Sequence, residues 1–278
     1  MRDNQRRTGQ NPEVTPNSSV PKAHQPAPLA FSAPTEFVIL PSRGEFYSEE
    51  HPFYKQEAVE IRFMTAKDED ILTSEALLKK NLALDRLLDS LIIDEVDAST
   101  LLLGDRNAIL ISARASAYGS DYPVTLRCEK CASTTETEYD LKSAQTQENC
   151  FDAEFLRENG VRFDRQTTTF DVTLPSSGVE VGMQLIDGKK EKKILERENK
   201  NLITGILSSF LVKVDGDTNY DRVADFIDVM PAADSKFLRD LFPVLAPNVK
   251  LTMLHRCESC FHIKDQEVPL SAGFFWPD

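Results

Sequence analysis

Cys128-Glu-Lys-Cys131 and Cys257-Glu-Ser-Cys260 are the two stretches on which the reading of this chain turns. Each is a CxxC, and four thiolates offered in two such pairs make the closed tetrahedral donor set of a structural zinc ion. Strand-like runs lead into both, Pro123-Val124-Thr125-Leu126 into the first and Val249 to Leu254 into the second, as in a two-knuckle zinc ribbon. About 125 residues separate the pairs, against about 15 to 20 in a compact ribbon. The metal is therefore expected to staple two remote parts of the chain. Buried cysteines, redox-active dithiols and disulfides are the competing readings. A thioredoxin-like site needs a single CxxC at the head of a helix, and neither pair here opens a helical pattern. Zinc held by Cys128, Cys131, Cys257 and Cys260 is the expectation. His255 and His262 beside the second pair read as surface strand residues, and Cys150 as a small buried hydrophobe.

The chain has 278 residues, 41% of them hydrophobic, which is enough for an ordinary core in one or two domains. No apolar run approaches the roughly 18 residues of a membrane span, and no apolar stretch near Met1 resembles a signal peptide. Neither secretion nor a membrane is expected. Paired thiols without a secretory signal suit a reducing compartment, where they bind metal rather than oxidise. The formal charge of -13 argues against a nucleic-acid surface, which depends on clustered Lys and Arg. Residues 1–34 carry a net +2, leaving -15 for the rest.

Residues 1–34 hold six of the fifteen prolines and almost no apolar periodicity, the composition of a disordered tail or of an arm that orders on a partner. Phe37 to Leu40 reads as a strand stopped by Pro41 and the turn at Ser42-Arg43-Gly44. Ala58 to Met64 alternates as a second strand, with Val59, Ile61 and Phe63 on one face. Thr65 caps a helix that begins with Asp68, Glu69 and Asp70. Leu84, Leu87, Leu88, Leu91 and Ile92 form the buried stripe of an amphipathic helix. Asp105 to Tyr118 reads as a central helix ended by Gly119.

The second half repeats this order. Phe170 to Gly178 shares Leu-Pro-Ser-x-Gly with Leu40 to Gly44, and Val179-Glu180-Val181 echoes Val59-Glu60-Ile61. Helices follow, then a strand and a CxxC. An internal duplication is expected, each half giving one knuckle. The bland alternative is chance recurrence of a turn. In this half Lys189 to Lys200 reads as a solvated helical face running into a buried stripe at Leu202, Ile206, Ser209 and Phe210. Tyr220–Val229 and Asp234–Phe242 read as two helices broken at Pro231, the second stopped near Pro243 and Pro247.

Asp215, Asp217, Asn219 and Asp221 imitate a calcium loop. Tyr220 and Phe226 stand where Gly and a bidentate Glu belong, so the stretch reads as an acidic turn that caps a helix. No nucleotide-binding, zinc-protease or nucleophile-elbow motif occurs, and a zinc with four cysteines has no open position for substrate. The expectation is a protein that is not an enzyme.

Leu40-Pro41-Ser42 with Gly44, Glu60-Ile61-Arg62, Asp68-Glu69-Asp70, Gly104-Asp105-Arg106, Arg114, Tyr118-Gly119 and Tyr122 before the first CxxC resemble the baseplate hub proteins of T-even-type contractile-tailed bacteriophages. Members of that family are also described as hub assembly chaperones. The similarity is strongest over residues 35–142 and extends more weakly to Cys257, Cys260 and Phe274-Phe275-Trp276-Pro277. It implies a tail-assembly role, with other baseplate or tail hub proteins as partners, in the virion or in the host cytoplasm during assembly. Arg106 and Arg114 are expected to make structural ion pairs, and Phe274 to Trp276 to dock back onto the body.

The expected fold is α+β, a mainly helical body with a zinc-ribbon-like β element. Residues 1–34 form the tail, 35–142 the first repeat and 143–278 the second. The expected function is structural or assembly-related, through protein contacts, without nucleic acid or membrane. The second hypothesis is a zinc-ribbon nucleic-acid binder or regulator, which salt-dependent DNA or RNA binding would favour. A zinc hydrolase is the third, which would require an exchangeable metal-bound water.

Overall fold

The computed structural model describes residues 33–80, 82–196, 202–268 and 272–275. The tail expected over residues 1–34 lies almost wholly outside them. Strand β1 (Thr35–Ile39) pairs antiparallel with β2 (Ala58–Arg62), Val38 opposite Val59, and Val38, Val59 and Ile61 point inward. In the connecting turn Gly44 has φ +69°, and a Cβ there would lie 2.3 Å from the Gln56 backbone nitrogen, so only glycine fits. Helices α1 (Ala66–Thr73), α2 (Glu75–Leu78) and α3 (Ala83–Leu91) follow, then the longest one, α4 (Leu103–Tyr118). Gly119 ends α4 at φ +91°. On α3 the buried side chains are Ala83, Leu87, Leu88 and Leu91, while Leu84 of the expected stripe is exposed.

Hairpin β3 (Asp121–Arg127) to β4 (Thr134–Asp140) carries the first CxxC at its tip. After it come β5 (Gln145–Gln147), α5 (Ala153–Glu158), β6 (Arg162–Asp164), β7 (Thr169–Thr173) and β8 (Glu180–Met183). Next are α6 (Gly188–Glu196), α7 (Leu202–Phe210), β9 (Leu211–Val214), α8 (Tyr220–Val229) and α9 (Ala232–Leu245). The chain closes with β10 (Asn248–Lys250), β11 (Thr252–Arg256) and β12 (Ile263–Glu267). Strands β6 to β9 form one antiparallel sheet in sequence order, and β10 pairs with the distant β5. The single run expected from Val249 to Leu254 is therefore two strands that change sheets at the buried Leu251.

The body is mixed α/β, not mainly helical. Among the described residues twelve strands make four two-stranded sheets and one four-stranded sheet. Sequence periodicity hides several of them for physical reasons. Strands β5, β6 and β10 have three residues each, too few to show alternation. Strand β4 reads Thr-Thr-Glu-Thr-Glu-Tyr-Asp, with polar residues on both faces. Two further expectations change. Of the stripe expected on α7, Leu202 and Ile206 are exposed and Phe210 is buried; Leu207, outside that stripe, is buried as well. Helix α9 continues through Pro243 to Leu245. A proline near a helix end forfeits only one intrahelical bond; Phe242 stacks on Phe210 at 4.2 Å, and Gln147 Nε2 donates to the Pro243 and Ala246 carbonyls.

Two buried aspartates hold the two Leu-Pro-Ser turns. Asp105, in the first turn of α4, accepts from Ser42 N at 2.9 Å, Ser42 Oγ at 2.6 Å and Tyr47 Oη at 2.7 Å. Asp234, in the first turn of α9, accepts from Ser176 N at 2.7 Å and Ser177 N at 2.9 Å. Each helix then leads towards the hairpin that carries a CxxC. Arg106 pairs with Asp85 at 2.7 Å, as expected. Among the described residues Arg114 makes no ion pair: its Nε donates to the Phe274 carbonyl at 2.7 Å and its Nη1 to the Gly119 carbonyl at 2.9 Å. Phe274 and Phe275 are buried on the body, Phe274 edge-on to Tyr122, whereas Trp276 lies outside the described residues.

Candidate metal centre

Both CxxC loops have the same backbone. In the first, Cys128 N–H bonds to the Ser133 carbonyl at 2.8 Å and Ala132 N–H returns to the Cys128 carbonyl at 2.8 Å. In the second, Cys257 N–H bonds to the His262 carbonyl and Phe261 N–H to the Cys257 carbonyl, each at 2.9 Å. The residue after the second cysteine is left-handed in both, Ala132 at φ 59° and Phe261 at φ 55°. That region costs an L-residue roughly 1–2 kcal/mol, which the folded loop must overcome. The reward is that both sulfurs of a pair turn to one side.

The tips of the two hairpins meet. Cys128 and Cys260 sulfurs are 3.7 Å apart, Cys131 and Cys257 sulfurs 3.6 Å, and all four lie within 4.8 Å of one another. A tetrahedron with metal–sulfur bonds of about 2.3 Å has edges of about 3.8 Å, so the crossed pairs already stand at ligand spacing. All four thiols are free, Cys128 and Cys257 buried, Cys131 and Cys260 towards the rim. The four cysteines sit together and can bind a metal ion. The residues suit one chemically as well as geometrically. The Ser133 hydroxyl, with the N–H groups of Cys260 and Ser259, brings the Cys257 thiol down to about 5. On Cys260 the His262 N–H pulls the same way, yet desolvation and the neighbouring sulfurs prevail and push it up to about 12. Four sulfurs this close cannot all ionise until a cation neutralises them, so metal binding would release the Cys260 proton.

Contacts beyond the sulfurs tie the hairpins together. Gln266 Nε2 donates to the Arg127 carbonyl at 2.9 Å, and Lys264 pairs with Glu129. His262 is on the surface side of its loop, but His255, expected there too, is buried and its Nε2 has no hydrogen-bond partner among the described residues. It faces inward because it stands two residues before the buried Cys257 on β11, a parity that the sequence already contains. Cys150 is buried away from the cluster, and burial pushes its thiol up to about 12, as suits a packing residue. The acidic turn before α8 is a cap: Asn219 Oδ1 accepts from Asp221 and Arg222 N–H groups.

The family model described as "T4 bacteriophage base plate protein" matches residues 35–276, most of the chain and both cysteine hairpins. The chain belongs to the T4 baseplate protein family. The match begins at β1 and leaves out the proline-rich residues 1–34. No curated protein and no solved structure matches this baseplate protein. The family is one of structural proteins of the phage tail, so its members work among other tail proteins. None of the helices described in this baseplate protein is long and apolar enough to cross a membrane.

Proposed function

We propose that this chain is a non-enzymatic building block or assembly factor of the hub region of a contractile-tail baseplate, braced by a structural zinc ion and acting through protein contacts. The observation that carries the reading is the convergence of Cys128, Cys131, Cys257 and Cys260 at ligand spacing in a chain whose family is a baseplate family. Zinc is the metal favoured by four thiolates in a tetrahedron. Once held by four sulfurs it offers no open position, so its role would be to clamp β3–β4 to β11–β12. The partners are other baseplate or hub proteins, met in the virion or in the host cytoplasm during assembly; nucleic acid and membrane are not among them. A chaperone-like role in hub assembly is the same reading without incorporation into the finished tail.

The same reading treats residues 35–142 and 143–278 as two repeats, each with an aspartate-held Leu-Pro-Ser turn, a helix and one knuckle. Support comes from Asp105 and Asp234, which grip the equivalent turns, and from the matching loop backbones at Cys128 and Cys257. The metal would then sit between the repeats.

The test has two parts. Metal analysis of the purified chain should give one zinc per chain, and Cys128→Ser or Cys257→Ser should lower metal content and melting temperature together, because zinc binding is coupled to folding. Pull-down from infected cells should recover hub or baseplate proteins. Full zinc retention in either variant would refute the metal site, and recovery of nucleic acid in place of tail proteins would refute the role.

A further inference from the structure

The outer faces of the two hairpins differ although their loops match. Hairpin β3–β4 turns mostly polar side chains to solvent, among them Glu136, Glu138 and Asp140. Hairpin β11–β12 exposes Leu254 and Phe261, each by 67%, and Ile263 by 55%. Leu254 pairs across the strands with Asp265, and Ile263 with Arg256. Leu254 and Ile263 are thus diagonal neighbours on one face, and the Arg256 guanidinium lies 5.6 Å from the Phe261 ring centre.

Phe261 burdens the fold without serving its interior. A bulky side chain at positive φ is an outlier, and its counterpart in the first knuckle, Ala132, shows that a methyl group suffices. The ring is not compensated by burial, since it stands in water. An exposed aromatic ring beside an arginine matches the composition of interface cores. Arg256 has no carboxylate partner among the described residues, in a chain with 45 acidic residues against 32 basic ones.

We propose that Leu254, Phe261 and Ile263, with Arg256 among them, form the surface by which this chain docks on a different baseplate protein, at an apolar side chain flanked by Asp or Glu. This rests on the baseplate reading above and adds where and with what chemistry the contact is made. A second copy could offer Arg256 only the Asp265 that already stands on the same face of its own hairpin, and the crosslink below tells that contact from one with a different protein. A partner carboxylate meets that charge and the apolar side chain covers the ring.

The experiment is photocrosslinking in infected cells, with the full chain carrying a benzophenone amino acid in place of Phe261, followed by mass spectrometry of the adduct in tails and tail-assembly intermediates. The expected adduct is with one other baseplate protein, on a peptide where an apolar residue neighbours Asp or Glu. The same group replacing Glu136 should give at most a tenth as much. Arg256→Glu and Phe261→Ala should each weaken association with that protein at least tenfold, with zinc content unchanged and melting temperature unchanged or higher; a packing residue would lower it. The inference is overturned by adducts to a second copy, by adducts to nucleic acid, by no adduct from complexes that contain the chain, or by unchanged association of both variants. If the unmodified chain copurifies with no baseplate protein, it is the baseplate reading that has failed, and this contact falls with it.

Discussion

Asp68 is fully buried against Arg62, whose two terminal nitrogens donate to its carboxylate at 2.7 and 2.8 Å. The Thr65 N–H and hydroxyl and the Ser90 hydroxyl complete its set of donors. Burial alone would raise this carboxyl, but Arg62 and the donors from Thr65 and Ser90 outweigh it and hold it well below the usual carboxylate range. A carboxyl depressed on folding stabilises the native state above its unfolded value of about 3.9, and that contribution is lost as the pH falls through the native value. Urea unfolding between about pH 5 and pH 2 should therefore show stability declining on acidification, with a shallower decline in Asp68→Asn; equal slopes would contradict the assignment. That Thr65 opens this helix was legible in the sequence, since such spacing is local; Asp68 read only as one acid of a solvated first turn, and its burial against Arg62 corrects that. That Asp105 and Asp234 would be buried as clasps was not legible, because their partners Ser42 and Ser176 are 63 and 58 residues away.

Helix α4 shows how an element is placed by what it packs on. A Cβ on Gly104 would come within 2.0 Å of the Pro247 carbonyl oxygen and 2.9 Å of the Asn248 Cα. Both are backbone atoms, so they cannot rotate away. Gly104→Ala should therefore destabilise the protein by about 2–3 kcal/mol through overpacking of the seam between α4 and β10, measured by urea denaturation. Gly205→Ala on α7 is the control: among the described residues, its own helix backbone and chain neighbours aside, nothing lies within 4 Å of its Cβ position, so removing a helical glycine should stabilise by roughly 0.5–1 kcal/mol. A similar loss in both would mean that the seam is not the cause. The ends of α4 were readable from Gly119 and the composition of Asp105 to Tyr118. The far end of α9 was misread because Pro243 is a local stop signal, and the Gln147 amide that supports the last turn comes from 96 residues away.

At the scale of the molecule the hairpins β3–β4 and β11–β12 meet only through tertiary contacts, chiefly at the cysteine cluster. If one ion binds all four sulfurs, the ligands act as a unit, and their effects will not add. The double variant Cys128→Ser with Cys257→Ser should then lower the melting temperature no more than the worse single variant. Chelation of the wild-type chain should reproduce the same drop. Additive losses, or a wild-type melt indifferent to a strong chelator, would show that the thiols contribute separately.

The sequence by itself determined the donor chemistry, both CxxC pairs, the Leu-Pro-Ser turns, the longer helices and the acidic character, because each of these is written within a few residues or in the total composition. Only the tertiary structure decided that the body is mixed α/β and that Asp105 and Asp234 are buried clasps. It alone shows that sulfurs more than 120 residues apart stand 3.6 to 3.7 Å from one another across the two hairpins. Short strands and polar hairpins gain their identity from the partner they bond to, and a ligand set split across a chain exists only once folding has brought its halves together.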